Sequence, residues 1–253
     1  MTILIPLAGA GSRFAQAGYT DPKPLIPVDG QPMIVRATAD LPPAQRWVFI
    51  CRSEHLANYP LRQTLEQVYP GCTIIDLDYL TEGQASTCLL AKDYINTDDA
   101  LLIGACDNGI TYDQAAWQHL LEDETVDAII FTFRNNVTVE RNPKAYGWVA
   151  VNADQTVQKV SVKVPISEDP IHDHAVVGAF WFRHGRDFVR SAEDMIKHNT
   201  RINNEFYVDE CMNNAVQLGL KVKVFEIDKY ICWGTPNDLL TYNYWREYFQ
   251  TPV

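Results

Sequence analysis

Two stretches of the sequence combine residue types suited to holding phosphate. The first, Pro6-Leu7-Ala8-Gly9-Ala10-Gly11-Ser12-Arg13-Phe14, is a run of small residues closed by a cation, and a second cation follows in Asp21-Pro22-Lys23-Pro24-Leu25. Glycines let backbone N–H groups converge on phosphate oxygens without a Cβ in the way, and Arg13 with Lys23 would supply the charge that a triphosphate demands. The run is not a Walker A loop, because no Gly-Lys-Ser/Thr follows. Nor is it a full dinucleotide fingerprint, because Phe14 stands where the third glycine of GxGxxG would be. Read from the glycines alone, an ordinary strand-to-helix turn fits equally well. The second stretch, Leu101-Leu-Ile-Gly-Ala-Cys-Asp107-Asn108, sets a carboxylate directly after an apolar run. A hard oxygen ligand there could hold Mg²⁺ against phosphates; the bland alternative is an Asp that caps the next turn.

Both stretches must be placed by the elements around them. Apolar runs predict strands at Thr2–Leu7, Trp47–Arg52, Cys72–Leu77 and Ala100–Cys106, and helices fit near Pro32–Leu41, Pro60–Tyr69, Gln84–Asp93 and Tyr112–Glu122. Strands alternating with helices are the pattern of a parallel sheet, whose ligands collect beyond the carboxyl ends of the strands. Both phosphate-handling stretches fall at such ends. From Asp127 the rhythm changes to strands at Ala128–Arg134, Gly147–Asn152, Val157–Lys163 and Ala175–Arg183, an antiparallel addition to the sheet. Helices return at Gly185–His198 and Glu205–Leu218, then a strand at Lys221–Ile227, and Pro236 opens a last helix through Leu239–Phe249. No repeat or flexible linker interrupts residues 1–253, which are expected to form a single domain.

The chain has 253 residues, 47% of them apolar, with 32 acidic against 21 basic side chains and a formal charge of −11. This is a globular composition, and its negative sign argues against nucleic acid as a partner, since a phosphate backbone is repelled by such a surface. No segment reaches the ~18 uninterrupted apolar residues of a membrane span, and Met1-Thr-Ile-Leu-Ile has no basic leader, so a cytoplasmic location is expected. The six cysteines are scattered without CxxC spacing and read as reduced residues. His172-Asp-His174 has no third ligand nearby and reads as a polar loop, Glu122-Asp-Glu124 as a solvated helix end. The aromatic residues Tyr242, Tyr244, Trp245, Tyr248 and Phe249 read as a helix face packed on the sheet or on a partner subunit.

Gly9-x-Gly11-x-Arg13 followed by Pro22-Lys23-Pro24-Leu25 resembles the opening motif of the sugar-1-phosphate nucleotidylyltransferase superfamily. The likeness continues in order through Gly83-Gln84-Ala85, Asp107, Tyr146-Gly147-Trp148-Val149, Lys163 with Pro165, Val177-Gly178-Ala179-Phe180, Glu205 with Asp209, and Gly234-Thr235-Pro236-x-Asp238-Leu239. It implies a Rossmann-like (GT-A-like) α/β fold, a mixed and mainly parallel sheet flanked by helices. It also implies that Leu7, Ala8, Gly9, Ala10, Gly11 and Ser12 wrap a nucleoside triphosphate and that Arg13 and Lys23 are catalytic. Gln84 would read the base and Asp107 would bind Mg²⁺ beside the nucleotide, while Tyr146, Gly147, Lys163 and Glu205 would hold a phosphorylated acceptor.

Two departures from the superfamily pattern carry information. Val162 stands before Lys163 where sugar-specific members have a glutamate, and valine accepts no bond from a sugar hydroxyl. Cys232 stands where many members have a second metal aspartate, and thiols suit Mg²⁺ poorly, so Asp209, Asp228 or Glu226 would have to substitute, or Asp107 act alone. The closest resemblance is to the branch of phosphocholine- and phosphoglutamine-type cytidylyltransferases. That branch implies transfer of CMP from CTP to a small phosphorylated acceptor with release of pyrophosphate, for surface polysaccharide or capsule precursors. The alternatives are a sugar-1-phosphate nucleotidylyltransferase making an NDP-sugar, a GT-A glycosyltransferase, and a non-catalytic nucleotide-binding domain; a homo-oligomer stays open.

Overall fold

A computed structural model describes residues 1–250. In chain order its elements are β1 (Thr2–Leu7), α1 (Ser12–Gln16), β2 (Pro27–Val28), β3 (Gln31–Pro32), α2 (Met33–Thr38), β4 (Arg46–Arg52), α3 (Ser53–Asn58), α4 (Leu61–Val68), β5 (Thr73–Leu77), α5 (Gln84–Leu89), α6 (Lys92–Ile95) and β6 (Leu101–Ile103). There follow β7 (Asn108–Thr111), α7 (Gln114–Glu122), β8 (Ala128–Phe133), β9 (Gly147–Val151), β10 (Val157–Val162), β11 (His174–Phe182), α8 (Gly185–Lys197), α9 (Val208–Gln217), β12 (Val222–Glu226), β13 (Lys229–Cys232) and α10 (Pro236–Gln250).

The core of the fold is a nine-stranded mixed sheet. In it β1 lies between β6 and β4, and β5 follows β4, all parallel. Antiparallel β11 joins this set to β8, which runs parallel to β12. The first residues of β11, His174 and Ala175, also pair with β9, which carries β10 on its far side. Successive side chains of a strand face opposite sides of a sheet. Leu4 therefore packs with Ala85, Phe188 and Met212 under α5, α8 and α9, while Ile3 and Ile5 pack with Ile34, Leu65 and Trp117 under α2, α4 and α7. The interior of the parallel part is apolar on both faces, as crossover helices require.

The α/β class and most predicted strands match the structure, with differences at the ends. The predicted strand to Cys106 forms ladder pairs only over Leu101–Ile103, leaving Gly104–Asp107 as a loop that carries the carboxylate to β7. The predicted helix Gln84–Asp93 divides into α5 and α6, because Leu90 and Ala91 donate to carbonyls three residues back and tighten the turn. The helix predicted from Glu205 begins at Val208, leaving Glu205–Tyr207 as an arm outside it. Antiparallel β7 and β13 and the small β2–β3 hairpin appear where no strand was expected.

His174, read as loop, is the buried first residue of β11 and bonds Thr132 Oγ1 through Nδ1 at 2.9 Å. Tyr244, Trp245, Tyr248 and Phe249 are exposed on α10 and contact one another; Tyr242 is the aromatic of that group that packs inward, on Trp233.

Asn213 on α9 turns its side-chain amide onto β10, accepting from Val160 N and donating to Val160 O, each at 2.8 Å. Val160 is buried, so loss of the amide strands a peptide donor and acceptor away from water. Asn213→Ala is expected to lower unfolding stability by about 1–3 kcal/mol in denaturant titrations.

Candidate active site

The loop after β1 is open to solvent at Gly9 and Ala10, and Gly11 is left-handed (φ 60°) at the N-cap of α1. The next inward residue, Phe14, anchors the loop: it is buried with Ile26, Met33, Trp233 and Leu239 and meets Tyr19 edge-on at 5.1 Å. The same packing links the loop to the late chain, because Trp233 follows β13 and its N–H donates to Asp107 O at 2.8 Å. Lys23, in the 3-10 turn Lys23–Leu25, forms an ion pair with Asp107 Oδ2. Burial on its own would lower the Lys23 pKa, but the charge and hydrogen bond of Asp107 outweigh it and hold the ammonium above its ordinary value.

Three adjoining cavities follow the carboxyl ends of β1 and β6. The middle one, about 270 Å³, is lined by Leu7, Gly9–Arg13, Lys23 and Gly234. On one side it shares Gly9 and Ala10 with a cavity of about 300 Å³ that holds Thr81, Gly83, Gln84 and Glu205. On the other it shares Arg13 and Gly234 with a chamber of about 250 Å³ containing Asp107, Tyr146, Gly147, Lys163, Tyr207, Asp209 and Asp238. Of the site residues named from sequence, all but the alternative metal ligands Asp228 and Glu226 are thus brought into one cleft. Ala8 lines the Gln84 cavity, as does Glu205, which the sequence reading set with the acceptor group instead. Asp228 lines none of the three cavities; it sits between β12 and β13 with its N–H on Thr111 O at 2.9 Å.

The chamber owes its shape to an irregularity in β11. Pairing with β8 shifts register between Val176 and Phe180, and the bulged residues Val177 and Gly178 line the wall. Opposite lies Asp209, in the first turn of α9, whose Oδ2 would sit 2.2 Å from a Cβ at position 147; glycine there makes room for the carboxylate. Burial pushes the Asp209 pKa up to about 6, against the pull of its own backbone amide and of Lys163. Lys163 has a left-handed backbone (φ 60°), its N–H donates to Tyr146 O at 3.0 Å, and its ammonium donates to Tyr207 Oη at 2.7 Å. Phe133 stacks on Tyr230 at 4.2 Å, and Tyr146 meets Tyr230 edge-on, giving the chamber an aromatic side.

Asp107, Asp209 and Asp238 are the carboxylates that line the chamber, Asp107 already paired with Lys23. Among the described residues no three His, Cys, Asp or Glu side chains converge as a metal-binding group. Burial, then Asp107 and Asp238, push the Cys232 thiol up to about 12, and a thiol is a soft ligand that suits a hard cation poorly.

Tyr207, Tyr230, Thr81 and Asp238 were given no role from sequence. Asp238 alone left a trace, the Thr235-x-x-Asp238 pattern before a helix, in which Thr235 Oγ1 donates to Asp238 Oδ2 at 2.6 Å and accepts from Asp238 N at 3.2 Å.

Residues 3–178 match the family model for the MobA-like NTP transferase domain. The chain belongs to that family. It is therefore an enzyme of the nucleotidyltransferase type, within the superfamily that the sequence resembles. Among solved structures it is similar to a nucleoside-diphosphate-sugar pyrophosphorylase from Vibrio cholerae RC9, with a TM-score of 0.74 and 20% identity over 95% of this chain and 98% of that one. It is similar also to an inositol-1-phosphate CTP transferase from T. maritima, with a TM-score of 0.74 and 14% identity over 100% of this chain and 97% of that one. At these identities the likeness is one of fold. No curated protein matches the chain. Arg13, Lys23, Gln84, Asp107 and Lys163 all lie within the family match; Glu205, Asp209 and Asp238 lie beyond it. Among the described residues no helix is long and apolar enough to cross a membrane.

Two outcomes are expected. Gly83 has φ 126° and a Cβ there would lie 2.5 Å from Phe206 N, so Gly83→Ala should cost about 1–3 kcal/mol of stability and weaken nucleotide binding, read by thermal melts and calorimetry. Asp209 binds its proton more tightly folded than unfolded, so its penalty on stability is absent below its ordinary value of 3.8 and grows as pH rises toward about 6. Asp209→Asn should accordingly be more stable than wild type at pH 7.5, with the gap closing near pH 4 in urea titrations.

Proposed function

We propose that this enzyme transfers CMP from CTP to a small phosphorylated acceptor that is not a sugar, releasing pyrophosphate. The observation carrying the reading is the Lys23–Asp107 pair, which joins the middle cavity to the Lys163 chamber; a triphosphate would lie along the middle cavity between the Gln84 cavity and that chamber. In this reading Gln84 meets the base edge, the backbone N–H groups of residues 8–13 surround the β- and γ-phosphates, and Lys163 holds the acceptor phosphate. An acceptor oxygen attacks the α-phosphorus as the bond to the bridging oxygen breaks, and pyrophosphate departs in line. Two anions must approach, so the protein's contribution is alignment and charge neutralisation by Arg13 and Lys23. Phosphate oxygens can replace Asp107 as the partner of Lys23, which leaves the Asp107 carboxylate for a cation. Mg²⁺ bound there would neutralise charge on the phosphates.

Support for a non-sugar acceptor comes from the chamber: Val162, Val176 and Val177 are apolar, and Tyr146, Tyr207 and Tyr230 stand near the carboxylates of Asp209 and Asp238. Aromatic faces and carboxylates suit a cationic end such as the trimethylammonium of phosphocholine. A sugar phosphate is the second reading, favoured by the sugar nucleotide named for the Vibrio cholerae neighbour.

Pyrophosphate release from each common triphosphate, tested against phosphocholine, phosphorylated amino acids, glycerol phosphate and sugar 1-phosphates, decides between them. The expected result is turnover with CTP and phosphocholine, abolished by chelation. Arg13→Ala should reduce that turnover about 10²-fold or more with an unchanged melting temperature. Nucleoside diphosphate as the product would instead mark a glycosyltransferase.

A further inference from the structure

The middle cavity and the chamber both carry cations, whereas the Gln84 cavity has a different polarity. Among the described residues that line it, Glu205 bears the one charge. Thr81 and Thr87 line it too, and their hydroxyl protons are engaged with each other and with one carbonyl. Thr81 Oγ1 donates to Gly83 O at 3.1 Å, Thr87 Oγ1 donates to the same oxygen at 3.0 Å, and the two hydroxyl oxygens lie 2.5 Å apart. Each hydroxyl has a single proton, so toward a ligand both threonines offer lone pairs. Gln84 differs, because its amide donates at one atom, accepts at the other and turns to suit either pattern. The side chains of the cavity therefore join one adaptable group to a set that only accepts.

Glu205 is fixed beside Gln84 by its backbone. Its N–H donates to Ile202 O and its carbonyl accepts from Ile202 N, each at 3.0 Å, across a turn in which Asn203 and Asn204 are left-handed. The next residue, Phe206, is buried and stitched to the segment that carries Gln84: its N–H donates to Glu82 O at 2.7 Å, and Ala85 N donates to Phe206 O at 2.9 Å. Arg201, the nearest cation in sequence, stacks over the Phe206 ring at 4.1 Å. Its guanidinium is committed to Asn199, to Asn204 O and to Glu82, where it braces the turn. Two backbone segments locked to each other thus present Glu205 and Gln84 to the same space.

We propose that Glu205 is the specificity-determining residue for the nucleobase, and that it selects a base bearing an exocyclic amino group. The inference rests on the nucleotide reading above and deepens it. Cytosine presents an amino donor at N4 where uracil and thymine present the O4 acceptor. A carboxylate accepts from the amino group and repels the carbonyl, and the threonine lone pairs act in the same sense. Gln84 does not make that choice, since reversing its amide restores a bond with either base. Adenine and guanine carry amino groups as well, so the polarity names a class of base, of which cytosine is the pyrimidine member.

Calorimetry on the full chain tests this with CTP, UTP, ATP, GTP and 2′-deoxy-CTP, each against wild type and Glu205→Gln. The variant keeps the size of the side chain and adds N–H donors. Wild type should bind CTP about tenfold or more tighter than UTP, and Glu205→Gln should bring the two within about threefold by weakening CTP and strengthening UTP, at an unchanged melting temperature. Binding of 2′-deoxy-CTP should fall as much as that of CTP. A CTP preference that survives the substitution, or equal losses for CTP and UTP, overturns the proposal and leaves the CTP reading in place. Loss of the 2′-hydroxyl that weakens wild type as much as Glu205→Gln weakens CTP assigns the carboxylate to the ribose and overturns it too. Preference for ATP or GTP, relaxed by Glu205→Gln, overturns the CTP reading and upholds the proposal. Wild-type preference for UTP overturns both, and failure of every triphosphate to bind overturns the nucleotide reading and the proposal with it.

Discussion

The ion pair between Lys23 and Asp107 is the constraint around which the cleft is arranged. Parallel neighbours such as β1 and β6 lie about 5 Å apart, so the loops that leave their carboxyl ends are forced to face each other. A lysine and an aspartate 84 positions apart in sequence meet there, half withdrawn from water, where their attraction is stronger than at an open surface. Neither loop is held by the pair alone. Phe14 and Trp233 share one apolar cluster beneath them, and β7 with β13 fixes the chain on either side of Asp107. The charges stay in register because apolar packing, not the charges, sets the backbone.

Charge then varies along the cleft. The middle cavity carries Arg13 and Lys23, while the chamber beyond combines Lys163 with Asp107, Asp209 and Asp238. A uniformly basic groove would attract any polyanion; this one alternates sign over a few residues, inside a protein whose formal charge is −11. Asp209 is the costly member. Its carboxyl resists ionisation because of burial, yet glycine at 147 makes room for it and leaves one wall of the chamber without a side chain.

The strands that could be read from sequence were those with local signals. Thr2–Leu7 and Ala128–Phe133 are runs apolar but for one threonine each, and their boundaries match the prediction to within a residue. Sheet order was not legible, because pairing of β11 with β6 and with β8 depends on partners dozens of residues away that leave no periodicity. The short β7–β13 pair was missed because its four-residue strands are too short for alternation to show, and β7 opens on Asn108-Gly109, which signals a turn. At the cleft, Arg13, Lys23 and Asp107 announced themselves through their neighbours in sequence, glycines in one case and an apolar run in the other. Tyr207 did not. Its meaning comes from Lys163, 44 residues earlier, and from Phe206, whose backbone bonds to Glu82 and Ala85 hold the arm outside the helix expected from Glu205.

Trp233 has one further property. Its indole is wholly enclosed, its ring edge lies where any side chain at 109 would intrude, and its Nε1 has no hydrogen-bond partner among the described residues. An indole in such dry surroundings emits at short wavelength, and its peptide N–H holds the residue that bears the cleft's central carboxylate. Trp233, one of six tryptophans in the chain, is thus tied directly to the loop that carries Asp107, and left as the sole tryptophan it would report on that loop without a dye.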